Sequence, residues 1–447
     1  MSHGPTDVCA RAAAGTPRPL WDPLNAWPTA RWWLWAGLAV FTICFQGPDF
    51  VRSLRPAPGE IVDFFQEWSS ARSYFRGVPI YSDLADLADQ LLNLRGELTY
   101  PQVPVNTHPP TAILLLLPLA VLDYSDACLL WNLLSLAAFA LSLALVLREL
   151  GIPISIRGCL PLIAILLLCN PLRQQVNQGQ FGGLLSLMVT GVWIAARSGR
   201  PMWAGALLGA AAAIKVFPGF LFLYFILRRQ WSVVAAGALS LAALTGMAAT
   251  IFGTETYATY IQEVLPRVPK FRVLWQNSSL AGLACKLFDP DPESVNRYGR
   301  VVSLWNRPEF ANVAWGLSSA IVLALAALVI LRSRSQLATD RSFGVSVTAM
   351  LLVSPVTWDH YFLLLLLPLA CVWQWLPPTG IGRPLFLLTV IGLCLNPIVL
   401  CDAFLPGGYP PEVWYPRHTL TLLSIQCYSL LCLFGLGLSA ATCSIRE

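Results

Sequence analysis

The stretch "IVDFFQEWSSARSYFRGVPIYSD" (residues 61–83) carries two carboxylates, Asp63 and Glu67, four residues apart. A helix puts them on one face, and a carboxylate so placed can take a proton from a hydroxyl. The same spacing is equally that of a solvated acidic face, so spacing alone does not make the pair catalytic. Lys215 in "AIKVFPGFLF" is the one charge between Arg200 and Arg228. An ammonium in such a run is costly unless it snorkels or meets an anion. His360, beside Asp359 in "SPVTWDHYFLL", can ligate a phosphate or carry a proton, and can equally be structural. Carboxamides gather in "NQGQFGG" (Asn177, Gln178, Gln180) and "LWQNSSLAGL" (Gln276, Asn277). They suit sugar hydroxyls or helix caps. His108 precedes a helix that Pro109 and Pro110 start. Each signal is weak by itself, but all share one kind of place, the end of a short helix.

The elements that position these residues are membrane helices. Of 447 residues 56% are hydrophobic and 12% charged, where soluble domains are about 25% charged. This composition predicts an all-α polytopic membrane protein. Apolar runs fall near 32–51, 110–122, 128–147, 159–170, 181–196, 202–214, 217–227, 231–252, 311–331, 342–354, 360–376, 385–400 and 418–438. Several are too short for a crossing of roughly 20 residues, which predicts broken or re-entrant helices lining a cavity and about 10–12 crossings. Whether 110–147 is two spans, or one span behind a re-entrant helix, stays open at this level.

Arginines order the rest. Arg148, Arg157, Arg197, Arg200, Arg228, Arg229, Arg332, Arg334, Arg341 and Arg383 mark cytoplasmic turns by the positive-inside rule. The motifs above then fall on the extracytoplasmic side, with two long polar segments, 52–109 and 253–310. The first holds an amphipathic helix expected to lie on the membrane surface, Gly77 and Pro79 ending it. Residues 1–31 read as a cytoplasmic tail, 32–438 as one transmembrane domain and 439–447 as a C-terminal tail. The net charge of +5 is spread over short clusters, which gives no nucleic-acid signal. Of twelve cysteines most lie in apolar runs, where a thiol acts as a small hydrophobe. With no CxxC, neither a metal nor a redox site is expected. Cys285 and Cys401 are assigned to loops, their pairing left open.

The ordered set of motifs resembles glycosyltransferase family 87. "DFFQEWSSARSYFRGVPIYSD" is similar to the family's pattern after the first span, with Trp68 at or near its tyrosine position. "HPPTAILLLLPLAVL", "NQGQFGGLL", "AGALLGAAAAIKVFPGFLFLYFILRRQW", "QNSSLAGL" and "SPVTWDHYFLLLLLPL" follow in the family's order, over roughly residues 30–375. The resemblance implies the GT-C superfold and a polyprenyl-phosphate sugar donor, mannose or another hexose, with no cofactor. It implies an acceptor that is lipid-linked or a glycan, with membrane lipids around it, at the outer face of the plasma membrane. It makes Asp63 the catalytic carboxylate and puts Lys215 and His360 near the donor phosphate. Glu67, His108, Asn177, Gln180, Gln276 and Asn277 are the expected substrate contacts, with Arg267 or Lys270 as further cations. One carboxylate suffices for an inverting displacement, because a phosphate leaving group needs no acid. Competing functions are a transporter or flippase of a lipid-linked saccharide, which needs no base, an O-antigen ligase-like transferase, which uses arginines and a histidine, and an arabinosyltransferase of the same superfold. The absence of an internal repeat weighs against a transporter.

Overall fold

A computed structural model describes residues 29–94, 104–152, 156–289, 300–376, 380–404 and 413–443. The tail assignments at 1–28 and 444–447 lie outside these residues. The helices are α1 (Thr29–Ser53), α2 (Phe64–Phe75), α3 (Leu84–Leu92), α4 (Pro110–Leu116), α5 (Tyr124–Glu149), α6 (Ile156–Leu168), α7 (Asn170–Gln178), α8 (Gly182–Arg197), α9 (Pro201–Ile214), α10 (Leu221–Leu227) and α11 (Trp231–Phe252). They continue as α12 (Thr254–Thr259), α13 (Leu280–Phe288), α14 (Pro308–Arg332), α15 (Gln336–Val353), α16 (Leu366–Trp375), α17 (Gly382–Cys394), α18 (Pro397–Phe404), α19 (Pro416–Thr419) and α20 (Ile425–Cys443). A two-residue parallel pair, β1 (Arg300–Val301) and β2 (Val413–Trp414), ties two connecting segments together.

The protein is an all-α polytopic membrane protein. Among the described residues five helical stretches are long and apolar enough to cross: Trp32–Ser53, Tyr124–Glu149, Trp231–Phe252, Pro308–Arg332 and Leu422–Ala441. Two further pairs are broken, α7 to α8 by 117° and α17 to α18 by 88°. Three shorter apolar stretches, Pro110–Val121, Pro201–Ile214 and Phe217–Leu227, complete the set. Between 110 and 147 the chain forms one long helix behind a short one.

Close approaches hold the helices around the site. Gly205 and Gly209 bring α9 against α11, where a Cβ on either would meet a backbone oxygen of α11 at 2.3 or 2.2 Å. Small residues at this spacing let membrane helices touch. Between α5 and α8, Ser142 Oγ lies 3.0 Å from Ser186 Oγ and 2.8 Å from Thr190 Oγ1, and Ser186 Oγ–H donates to the Leu363 carbonyl. These hydroxyls fix α5, α8 and the segment after His360 to one another.

The helix expected on the membrane surface, α2, is packed on most of its circumference, with nine of its twelve residues buried. The rings are the cause. Phe64 stacks on Tyr124 and Trp131, each at 6.3 Å between centroids, and Trp68 Nε1–H donates to the Leu122 carbonyl. Tyr124 Oη receives the Val62 N–H at 3.0 Å. Phe65 is fully enclosed, and truncating such a ring costs about 3–5 kcal/mol. The start of α2 is thereby fixed against α5. Cys285 and Cys401 lie inside α13 and α18 rather than in loops, and both are buried.

Candidate active site

Gly179 sets the geometry of the site. It ends α7 in the left-handed region, φ +63°, and a Cβ there would stand 2.6 Å from Phe64 Cβ. Only glycine meets both demands at once. Its carbonyl accepts from Trp131 Nε1–H at 2.8 Å. The "NQGQ" turn is thus pressed on the first residue of α2. The consequence is local: Gln178 Oε1 accepts the Asp63 backbone N–H at 3.3 Å, and Gln180 Nε2–H donates to Asp63 Oδ2 at 2.8 Å.

Lys215 follows α9 in an extended conformation. Its ammonium donates to Gln180 Oε1 at 2.9 Å and to Tyr361 Oη at 3.3 Å. It lies 4.9 Å from the Tyr361 ring and 5.8 Å from the Phe181 ring. Lys215 is buried, and among the described residues no carboxylate pairs with it within 4 Å. Its ammonium is thus met by neutral oxygens and ring faces, which compensate a buried charge only in part.

His360 sits in the turn Asp359–Leu365 ahead of α16, outside the candidate spans. Asp359 Oδ2 accepts from Asn170 Nδ2–H at 2.6 Å and Oδ1 accepts the His360 backbone N–H at 2.8 Å. The imidazole Nδ1 is 3.8 Å from Asp359 Oδ1, while buried Nε2 has no partner among the described residues. Burial, helped by Lys215, pushes this imidazole down from the ordinary histidine value against the opposing pull of Asp359.

His108 is held by its backbone. Its N–H donates to Asn106 Oδ1 at 2.9 Å, its carbonyl accepts from Tyr81 Oη–H at 2.7 Å, and Asn106 Nδ2–H reaches the Gln66 carbonyl at 2.9 Å. The ring contacts Glu67 through Nδ1 and meets Phe181 edge-on.

A cavity of about 1370 Å³ is lined by Asp63, His108, Asn177, Gln180, Lys215, Gln276 and His360. The structure therefore brings together seven of the nine residues singled out from sequence. Glu67 and Asn277 stand outside the lining. Glu67 is one turn deeper, 2% exposed, behind His108. Asn277 is enclosed: its Nδ2–H groups reach the Arg272 and Pro355 carbonyls, and its Oδ1 accepts the Ser279 and Thr357 N–H groups. Gln276, its neighbour, lines the cavity with a buried Oε1 that has no partner among the described residues. Arg267 and Lys270 are exposed and off the lining. Sequence reasoning passed over Tyr361, Phe181 and Arg173, all in or beside the cavity. Tyr361 and Phe181 were legible only as neighbours of His360 and Gln180.

The family model "Glycosyltransferase family 87" matches residues 106–355, more than half of the chain. The chain belongs to this family and is a membrane glycosyltransferase. The matched span holds His108, Gln180 and Lys215; His360 falls just past its end, and Asp63 lies well before its start. Among curated relatives, the chain is similar to the polyprenol-phosphate-mannose-dependent alpha-(1-2)-phosphatidylinositol pentamannoside mannosyltransferase of Mycolicibacterium smegmatis, 26% identical over 62% of this chain and 67% of the relative. The polyprenol-phosphate-mannose-dependent alpha-(1-2)-phosphatidylinositol mannoside mannosyltransferase of the same organism is 24% identical over 89% of this chain and 83% of the relative. An alpha-(1->3)-arabinofuranosyltransferase of Corynebacterium glutamicum is 24% identical over 80% and 74%.

Proposed function

We propose that the protein moves a monosaccharide, mannose or another hexose, from a polyprenyl-phosphate donor to a hydroxyl of a lipid-linked or glycan acceptor. The transfer takes place on the extracytoplasmic side of the plasma membrane, with inversion at the anomeric carbon. The observation that carries this is one cavity lined by a carboxylate, a buried ammonium and a buried imidazole, where among the described residues the ammonium has no anionic partner and the imidazole Nε2 no partner. The names of the relatives, two of them dependent on polyprenol-phosphate mannose, agree with such a donor.

In this proposal Asp63 is the general base. It takes the acceptor hydroxyl proton as the oxygen bonds to the anomeric carbon, and the bond from that carbon to the phosphate oxygen breaks. The leaving polyprenyl phosphate gains negative charge, which Lys215 and the Nε2 edge of His360 meet; fixed donors of this kind act most strongly where water is excluded. His108, Asn177 and Gln276 offer hydrogen bonds to sugar hydroxyls, while Gln180, whose amide is engaged by Lys215 and Asp63, serves through those two residues. Glu67 serves through His108, and Asn277 through the loop that holds Gln276.

The arabinofuranosyl relative supports a second reading in which the sugar is a pentofuranose. Incubating the purified protein with a panel of polyprenyl-phosphate sugars and identifying lipid products by mass spectrometry decides between them. A product with any one donor supports transfer. Movement of the intact donor across a vesicle membrane, with no product from any donor, would establish a flippase instead.

A further inference from the structure

Gln180 stands between the two ends of the proposed site, and its orientation is fixed by chemistry. Lys215 can only donate, so the amide oxygen must face it, at 2.9 Å. The amide nitrogen then faces Asp63 Oδ2, at 2.8 Å, where an N–H is the group a carboxylate accepts. Gln180 is 5% exposed, and its backbone carbonyl accepts from Gln175 Nε2–H. The side chain therefore has both ends engaged and its root pinned.

We propose that Gln180 is the positioning residue of the transfer: its carboxamide, turned by Lys215, holds the Oδ2 edge of the Asp63 carboxylate. This rests on Asp63 being the base. It goes further by coupling the base to the cation through one amide, so that a change at Lys215 is felt at Asp63. Among the described residues, the titratable groups near Asp63 include Glu60 on its own loop, Tyr124 and Cys128 on α5, Lys215 after α9 and His360 ahead of α16; Gln178 on α7 is neutral. None of them sits between Gln180 and Asp63.

A carboxylate that loses an N–H donor holds its proton to higher pH, and one that gains a carboxylate neighbour does so more strongly. The test uses the full-length protein in detergent or nanodiscs and records kcat/KM for the acceptor against pH. Gln180→Leu should lower kcat about 10–100-fold, the range a hydrogen bond to a charged group carries, and move the acid limb of the profile upward. Gln180→Glu, close in shape, should move that limb further, and should raise the donor KM as well because the new carboxylate pairs with Lys215. Melting temperature is followed for both variants. A purely structural role predicts a lower melting temperature with an unmoved acid limb, and that result in Gln180→Glu overturns the proposal. Asp63→Asn runs beside them. If it keeps near-normal turnover, the base assignment itself fails. If it is inactive while both Gln180 variants keep the wild-type limb, the positioning role alone fails.

Discussion

Asn170 Nδ2–H donates to Asp359 Oδ2 at 2.6 Å, joining the first residue of the bent helix α7 to the turn that carries His360. The other oxygen of Asp359 receives the His360 backbone N–H, so one carboxylate ties the start of α7 to the backbone that carries the imidazole. Removing Asn170 frees half of this tie. Asn170→Ala should raise the donor KM about tenfold, as expected for a lost hydrogen bond to a charged group, and Asn170→Asp should do worse because two carboxylates would then meet. Steady-state kinetics with varied donor checks it; an unchanged donor KM in both variants would disconnect Asp359 from donor binding.

The histidine itself gives a pH signature. Burial pushes His360 below the ordinary histidine value, which favours the neutral ring near pH 7. A phosphate favours the protonated ring, and affinity attributable to His360 therefore rises as pH falls. Binding of polyprenyl phosphate measured from pH 7.5 to 5 should show a growing gap between wild type and His360→Gln. A gap that is constant over this range removes protonation of His360 from the account.

Lys215 has no carboxylate partner within reach among the described residues. Lys215→Met keeps the stem and removes the charge. If the ammonium pairs with the donor phosphate, the loss should be about 2–5 kcal/mol in donor binding, with the acceptor KM unchanged, and Lys215→Arg should recover part of it. Direct titration with polyprenyl phosphate reads this out. Equal affinity in wild type and Lys215→Met would leave only burial of a tolerated cation.

Gln276 and Asn277 differ although they are adjacent. Asn277 uses both ends of its amide inside the protein. Asn277→Ala should cost about 3 kcal/mol of stability through stranded buried groups while the surviving fraction keeps its KM values. Gln276→Ala should leave melting nearly unchanged and weaken a substrate. Paired thermal melts and kinetics separate the two, and the reverse pattern would exchange their roles.

The contrast shows what was legible beforehand. Lys215 and His360 stood out because they lie in or beside apolar runs where charge is scarce, and Asp63 through its spacing from Glu67 and the family motif. Which neighbour faces the cavity did not follow, since Gln276 and Asn277 are chemically alike and a loop has no period. The i,i+4 rule expects Glu67 on the face of Asp63, but it could not show that Glu67 lies buried beneath His108. That placement is set by Tyr124 and Trp131 on α5, tens of residues away. The 117° break between α7 and α8 was foreseeable only as shortness of the apolar run. Its angle depends on Gly179 meeting Phe64, a tertiary contact that hydropathy does not record.

The central claim is that Asp63 accepts the proton of the attacking hydroxyl. The most direct measurement is single-turnover transfer from an accepted polyprenyl-phosphate sugar by wild type and Asp63→Asn, with donor binding titrated on the same samples. Loss of a general base lowers rate by roughly 10²–10⁴. The account predicts a fall of that size with donor affinity near normal. An Asp63→Asn protein that binds donor and still transfers at more than about a tenth of the wild-type rate, well short of such a loss, would contradict it.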